Sequence, residues 1–349
     1  MNPIQHKRNG LGAWTVWWSS RQLQSKNPRI RRKAIERVRQ AAAGSLKRSQ
    51  EHDWAANALV KALKDPEWDV RACAASALRR LGWTPTNAQE RSLFDVASGN
   101  VRAAGLRGDA ALSALLLELQ HRFSCQRRAA AEALESLSDP RRVKPLITAT
   151  RDEDPTVLVW AAHALSQANT NEVRATLGKL FRNPDAKVRL AAAQALANQG
   201  DPADRSYFLE LLRDTSFEVR LTAVQFLARF PDPQNAQALL SVLSDFDADV
   251  RHAAAKALGI LGSPDAIEGL VAALGDEDKL VREAAEVSLN EIDPDWAHSA
   301  TAQRAISQLE ASQRDCAPWV RAAIIQVLAR LRTPIPQSSV PPAPLWGRQ

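Results

Sequence analysis

The chain has 349 residues, of which 45% are hydrophobic and only 5% aromatic, and it carries a net charge of +7. Its three cysteines are far apart and form no C-x-x-C or Cys/His cluster, which excludes a disulfide framework and a cysteine-based metal site and favours a reducing, cytoplasmic setting. No apolar run reaches the length of a membrane span, and the N-terminus lacks the apolar segment of a signal peptide. We therefore expect no transmembrane segment and a core built mainly from Ala, Leu and Val.

The first 50 residues hold much of the positive charge, with 12 Lys and Arg residues against one acidic residue, Glu36. Here Trp14, Trp17 and Trp18 share one helical face, a spacing that favours packing over the end of a core. A second helix begins near residue 29 and turns its apolar stripe inward. Its outer cations predict a basic patch that binds nucleic acid, anionic lipid or an acidic protein. The alternative is that these charges only keep a capping helix soluble. The patch comprises Arg29, Arg32, Lys33, Arg37 and Arg39.

Five Val residues stand 31 residues apart from Val157 to Val281, each after an acidic turn and before an Ala-rich run that ends in Leu. A fixed period of this length indicates stacked repeats. In residues 264–293 an apolar stripe with the spacing of an amphipathic helix is followed by a break, and Val281 then starts a second helix. Each repeat is thus predicted to be a helical hairpin, in which we number this Val as position 0.

The frame extends in both directions with three irregular intervals. The interval from Val101 to Gln126 is 25 residues, and longer intervals of 40 and 39 residues precede Val70 and Val320. Short or interrupted units predict a truncated second helix in the middle and modified capping units at the ends. Ten frames follow: Ile30, Val70, Val101, Gln126, Val157, Val188, Val219, Val250, Val281 and Val320.

These intervals predict three regions. Residues 1–50 form a basic, Trp-rich N-terminal capping repeat, and residues 51–332 form the repeat array with an irregular joint near 99–126. Residues 333–349 are rich in Pro and predict a flexible or extended tail.

The frame Asp-Pro-x-x-x-Val-Arg-x-x-Ala-Ala-x-Ala-Leu resembles the short HEAT-like repeats first named from phycobilin lyases. The resemblance covers nearly the whole chain. It implies an all-α fold, a right-handed α-solenoid of about ten helical hairpins. HEAT-like arrays serve as scaffolds, adaptors, regulatory subunits and, in a minority, enzymes, so the resemblance is specific for fold and weak for function.

In HEAT-like units an acid in the turn and an Arg six residues later resemble a stacked polar ladder. An Arg fork can bond a carboxylate and nearby turn carbonyls, so these arginines are predicted to be structural and not phosphate ligands. The ladder is predicted to fail at Asp152–Leu158 and His121–Arg127. The predicted pairs are Asp65–Arg71, Asp214–Arg220, Asp245–Arg251, Asp276–Arg282 and Asp315–Arg321, with Asn183–Arg189 as a variant.

The concave face of the array is the predicted partner-binding surface. Positions +2 and +6 of each second helix lie on one helix face, where they mix apolar and neutral polar groups. Such a mixture suits a protein or peptide ligand, and the alternative is an ordinary solvated face. The predicted contact residues are Val159, His163, Leu190, Gln194, Leu221, Gln225, His252 and Lys256.

Catalytic signatures are missing from the sequence. It contains no phosphate-binding loop, dinucleotide fingerprint or nucleophile elbow, and its six His form no His-Glu pair of the kind found in HEAT-like di-iron hydroxylases. Trp160 is interpreted as core. We therefore predict a non-catalytic scaffold or adaptor that binds a partner protein, without cofactor or metal. The alternatives are a phycobilin-lyase-like chromophore lyase or chaperone, and nucleic-acid binding through the basic N-terminal helix.

Overall fold

The computed structural model describes residues 18–19, 21–43, 50–314 and 316–333. Within these ranges every regular element is an α-helix or a short 3₁₀ helix, and no strand occurs. The predicted all-α class is confirmed. The chain divides into two compact units between Ala195 and Leu196. Trp14, Trp17, Asp315 and all of the predicted tail except Thr333 lie outside the described residues.

Unit 1, residues up to Ala195, is built from helical hairpins whose second helices begin just before the frame position. Two consecutive second helices, Ser124–Glu135 and Pro155–Leu165, pack directly on each other. The helices are α1 Pro28–Ala43, α2 Gln50–Ala62, α3 Trp68–Arg80, α4 Ala88–Ala97, α5 Val101–Gly105, α6 Leu112–Glu118, α7 Ser124–Glu135, α8 Val143–Ala149, α9 Pro155–Leu165, α10 Asn171–Leu180 and α11 Ala186–Gln199, the last of which runs past the unit boundary.

Unit 2, from Leu196 onward, repeats the same hairpin. Its second helices α13, α15 and α17 pack in sequence, and the last of these contacts is the most extensive between any two helices of the unit. The helices are α12 Arg205–Leu211, α13 Phe217–Leu227, α14 Pro233–Val242, α15 Ala248–Leu261, α16 Ile267–Ala273, α17 Lys279–Ile292, α18 Ala300–Arg304, α19 Ile306–Ser312 and α20 Pro318–Arg332.

Hairpin formation follows from the repeated frame. The frame valines, such as Val157 and Val250, are completely buried, and each such side chain contributes roughly 1.5–3 kcal/mol of burial free energy. Three residues earlier an Asp caps the helix: Asp247 accepts hydrogen bonds from the backbone N–H groups of Asp249 and Val250. An apolar anchor and an Asp N-cap at fixed spacing therefore start α9, α15 and α17 at the same place.

The irregular interval between Val101 and Gln126 has a clear structural form. The second helix α5 has only five residues and is followed by a 3₁₀ helix, Gly108–Ala111, which leads directly into α6. Gly105 lies against Ala133 of α7, where an added Cβ would come within 2.8 Å of the Ala133 Cβ. The short helix and the absent side chain at Gly105 let α7 pack closely against this hairpin.

Candidate functional site

The turns that open several second helices are joined to the next such turn by an Arg at position +1. Arg251 donates from Nη1 to the carbonyls of Asp245 and Phe246 at 2.8 and 3.3 Å, in its own turn. Its Nε and Nη2 donate to the Asp276 carboxylate of the following turn at 2.8 and 2.9 Å. The same fork joins three further pairs: Arg31–Asp65, Arg127–Asp152 and Arg220–Asp245.

The ladder is therefore shifted by one repeat from the pairing that the sequence predicted. An Arg six residues after an acid reaches that acid's backbone carbonyl, not its carboxylate. The carboxylate points the other way, to the Arg of the preceding repeat. The predicted failure at His121–Arg127 was wrong, because Arg127 binds Asp152 with two hydrogen bonds of 2.6 and 2.8 Å. At Asp152–Leu158 the ladder does lack a rung, since Leu158 has no guanidinium that could join this turn to the next.

Electrostatics show that these arginines are committed to structure. The hydrogen bond with Asp276 raises the pKa of Arg251, although burial opposes this. Burial raises the pKa of the Asp245 carboxyl while hydrogen bonds from Arg220 and the backbone lower it, and the net result is a lowered pKa. At neutral pH these forks are charged, and each is engaged both by the carbonyls of its own turn and by the carboxylate of the next.

The irregular hairpin is bypassed by the ladder. Arg71 holds its own turn through the carbonyls of Asp65 and Pro66, at 2.8 and 2.9 Å. Its carboxylate partner is Glu118 at the end of α6, which belongs to the hairpin after the irregular one. Both side chains are buried, with 2% and 4% of their area exposed. The described structure thus contains a fully desolvated ion pair at this joint.

His121 occupies the place that an acid takes in regular turns. Its Nδ1 accepts a hydrogen bond of 3.0 Å from the N–H of Phe123, as Asp245 does from Asp247 at 2.9 Å. Burial lowers the pKa of His121, and nearby arginines act in the same direction while Glu118 opposes them. His121 is therefore a neutral acceptor, and Glu118 supplies the carboxylate that His121 lacks.

An aromatic and cationic stack covers this joint. The Trp68 ring lies 5.2 Å from His121 and 6.0 Å from Phe123, measured between centroids. The Arg122 guanidinium lies 4.6 Å from the Trp68 ring and 4.5 Å from the Phe123 ring. Sequence reasoning missed this group because its members come from turns 53 or more residues apart.

The residues predicted for the concave face lie at the surface of their helices. Those at position +2 are half-buried: Val159, Leu190, Leu221 and His252. Those at position +6 are exposed or half-buried: Gln194, Gln225 and Lys256 are exposed, and His163 is half-buried. The side chains needed for contact with a partner are thus accessible, and we call this surface of each unit the second-helix face.

Trp160 was interpreted as a core residue, and that interpretation was wrong. It is half-buried, and its ring stands edge-on to His163 at 5.9 Å between centroids. It lies at position +3, where neighbouring repeats have Ala191, Thr222 and Ala253. The signal in the sequence was a large aromatic side chain at a position that otherwise holds a small one.

The basic patch on α1 is partly neutralised. Arg39 pairs with Glu36, whose pKa is lowered to about 2 mainly by that hydrogen bond. Arg32 lies 3.8 Å from Asp69 of α3. Arg37 donates to the neutral Gln22 side chain at 3.0 Å. Three exposed cations without a described carboxylate partner remain at a spacing of four residues: Arg29, Lys33 and Arg37.

Among the described residues, no group of three or more His, Cys, Asp or Glu side chains is placed to hold a metal ion. No helix among those residues is both long and apolar enough to cross a membrane.

Hairpins of 31 residues joined by shared Arg forks define a helical repeat protein. The family described as HEAT repeats matches residues 111–197, 143–220 and 206–290, which together span more than half of the chain, and a HEAT repeat also matches residues 56–82. The chain belongs to the HEAT repeat family.

Several solved structures are similar in fold. An engineered protein is 19% identical, with 91% of this chain and 99% of that chain covered and a TM-score of 0.43. The Escherichia coli protein YibA is 16% identical, with 82% and 99% covered and a TM-score of 0.45. Importin beta is 15% identical and covers 90% of this chain, which spans 46% of its length, with a TM-score of 0.42. No curated protein sequence matches the chain significantly.

Proposed function

We propose that this protein is a non-catalytic scaffold or adaptor that binds a partner protein on the second-helix face. One observation carries the proposal: at Val159, Trp160, His163 and Leu190 this face offers accessible apolar and neutral side chains. The arginines that would attract phosphate are used inside the ladder. The chromophore-lyase alternative is supported only by the resemblance of the repeat.

The energetic argument depends on rigidity. Helices that already pack in a stack need no ordering upon binding, so most of the contact free energy is available for affinity. Trp160 is a suitable anchor because binding energy concentrates in buried aromatic side chains, and truncation of such a residue typically costs about 2 kcal/mol or more. Leu190 lies at the equivalent position of its repeat in unit 1, and Leu221 at the equivalent position of its repeat in unit 2.

The test is quantitative affinity purification from the native host with wild type and variants. Trp160→Ala and the double variant Leu190→Glu, Leu221→Glu are expected to reduce recovery of the specific partner at least tenfold. Ala175→Glu with Gln237→Glu is the matched control, since it also adds two negative charges, at exposed positions of the first helices α10 and α14. Equal recovery of all partners by the double variant and the control would overturn the proposal.

A second candidate function is nucleic-acid binding through α1, which the stripe Arg29, Lys33 and Arg37 favours. Successive residues of the stripe are separated by about 6 Å along the helix, so the three cations form one positive line that can attract a phosphate backbone. Three phosphate contacts predict a slope of about −2.7 for log K against log salt on duplex DNA. Changing all three residues to Gln should abolish that slope, whereas Arg39→Gln, which removes an already neutralised cation, should preserve it. A slope unchanged in the triple variant would exclude this function.

A further inference from the structure

The turns that open the second helices of unit 2 expose large apolar side chains. Phe246 is completely exposed, Leu280 is 55% exposed and Phe217 is 39% exposed. None of the described ring or cation contacts involves Phe246. Exposed apolar groups on neighbouring turns are typical of an interaction surface.

These three turns, residues 214–218, 245–249 and 276–280, are held side by side by the ladder. Arg220 binds the carbonyl of Asp214 at 2.9 Å and the carboxylate of Asp245 at 2.6 and 2.7 Å. Arg251 continues from the second turn to the third and also fixes the Phe246 carbonyl. The apolar side chains therefore stand on one rigid edge, which we call the turn edge of unit 2.

The turn edge carries a net negative charge even though Arg220 and Arg251 pair with its Asp245 and Asp276. Its 15 residues include eight acidic residues and a single Lys. That Lys279 already pairs with Glu283 at 3.2 Å. Glu218, Asp249 and Glu277 are exposed, and the Glu277 side chain keeps 84% of its area accessible. The local charge is thus opposite to the net +7 of the whole chain.

The corresponding edge of unit 1 provides a comparison. There the aromatic side chains Trp68 and Phe123 are covered by the Arg122 guanidinium. On the turn edge of unit 2, no described cation covers Phe246 in the way that Arg122 covers Trp68 and Phe123. A partner that brings both cations and apolar groups would supply that cover.

We propose that the turn edge of unit 2 docks a basic amphipathic helix of a partner protein. Apolar side chains of that helix pack on Phe246 and Leu280, and its Lys or Arg residues face Glu218, Asp249 and Glu277. Charge complementarity selects this occupant, because an acidic segment would be repelled and a basic segment without apolar side chains would leave Phe246 and Leu280 uncovered. The inference goes beyond the proposed function, since it concerns another surface and none of the residues of the second-helix face.

The experiment uses the full chain and a labelled peptide of about 18 residues made of Lys and Leu, with Leu at helical spacing. Fluorescence anisotropy is expected to show a Kd at least tenfold weaker for Phe246→Ser than for wild type. The triple variant Glu218→Gln, Asp249→Asn, Glu277→Gln should weaken binding and flatten its salt dependence. Ile260→Ser is the matched control, because Ile260 is 68% exposed on the same unit but outside the turns, and its Kd should equal that of wild type.

The outcomes separate the alternatives. Equal binding by Phe246→Ser and wild type would overturn the proposal, as would equally tight binding of a peptide with Glu in place of Lys. Sedimentation velocity tests a second copy as the occupant: a dimer of wild type that is lost in Phe246→Ser would also overturn it. Phe246 is completely exposed, so the variant is expected to fold, which circular dichroism checks.

Discussion

The buried pair Arg71–Glu118 provides the sharpest test of how the irregular joint is held. The variant Glu118→Leu keeps most of the side-chain volume but leaves the Arg71 guanidinium buried without its carboxylate. Both groups are almost fully desolvated, so the cost is that of an uncompensated buried charge, about 3–5 kcal/mol. For a unit of this size that corresponds to a fall in Tm of about 6–20 °C.

A double variant separates the ion pair from packing. Arg71→Met with Glu118→Leu removes both charges, and it leaves unmade only the two hydrogen bonds to the carbonyls of Asp65 and Pro66. Those cost about 1 kcal/mol each, so the double variant should be more stable than the single one. The ladder pair Arg251–Asp276, whose side chains are 9% and 11% exposed, is the reference. Asp276→Asn should cost less, since Asn still accepts the N–H of Asp278.

Thermal and urea unfolding, followed by circular dichroism, measure these differences. A chain of stacked hairpins need not unfold in one step, so hydrogen exchange of the α3 and α6 amides shows whether the loss of stability is local to these helices. A loss below about 1 kcal/mol for Glu118→Leu would refute the reasoning. A double variant less stable than the single one would refute the view that the orphaned charge dominates.

Two further predictions concern acid stability and helix packing. Burial lowers the pKa of His121 below its ordinary 6.5, so the unfolded chain binds a proton at a higher pH than the folded chain does. The free energy of unfolding should therefore fall as pH drops below about 6.5. The variant His121→Asn, which keeps an acceptor for the Phe123 N–H, should remove that part of the decline in Tm measured between pH 7.5 and 5.5. Gly259→Ala should destabilise unit 2 by about 1–3 kcal/mol, because an added Cβ would lie 2.5 Å from the Ser288 Oγ. Urea unfolding measures this loss of stability. Adding Ser288→Ala should restore only part of the lost stability, since the Ser288 Cβ would lie 2.7 Å from the added Cβ.

The fold was predictable because its determinants are local and periodic. Val250 and its equivalents, the Asp N-caps and the apolar stripes recur at fixed spacing, so one hairpin identifies the others. The partners of the ladder were not predictable in the same way. A spacing of six residues is compatible with an Arg binding either the carboxylate or the carbonyl of the same acid, and only the packing of successive turns decides between them.

The candidate sites likewise include features that local periodicity predicts and features that depend on packing between remote segments. Surface positions +2 and +6 follow from helical periodicity, so their accessibility could be predicted from sequence. The contact of Trp160 with His163 required the actual ring positions. The cluster around His121 combines turns that are remote in sequence, and no period relates Trp68 to Phe123. Likewise, the full exposure of Phe246 depends on how its turn is held by Arg251.

The bypass from Arg71 to Glu118 has a consequence for local opening. Because the ladder passes from α3 to α6 without using a residue of α4 or α5, the hairpin Ala88–Gly105 takes no part in it and is joined to its neighbours by packing and by peripheral contacts such as Arg79–Ser98 and Arg102–Glu132. This hairpin is expected to exchange amide hydrogens and admit a protease sooner than its neighbours while the rest of the stack stays closed. Local opening of this hairpin would therefore leave the Arg71–Glu118 pair in place.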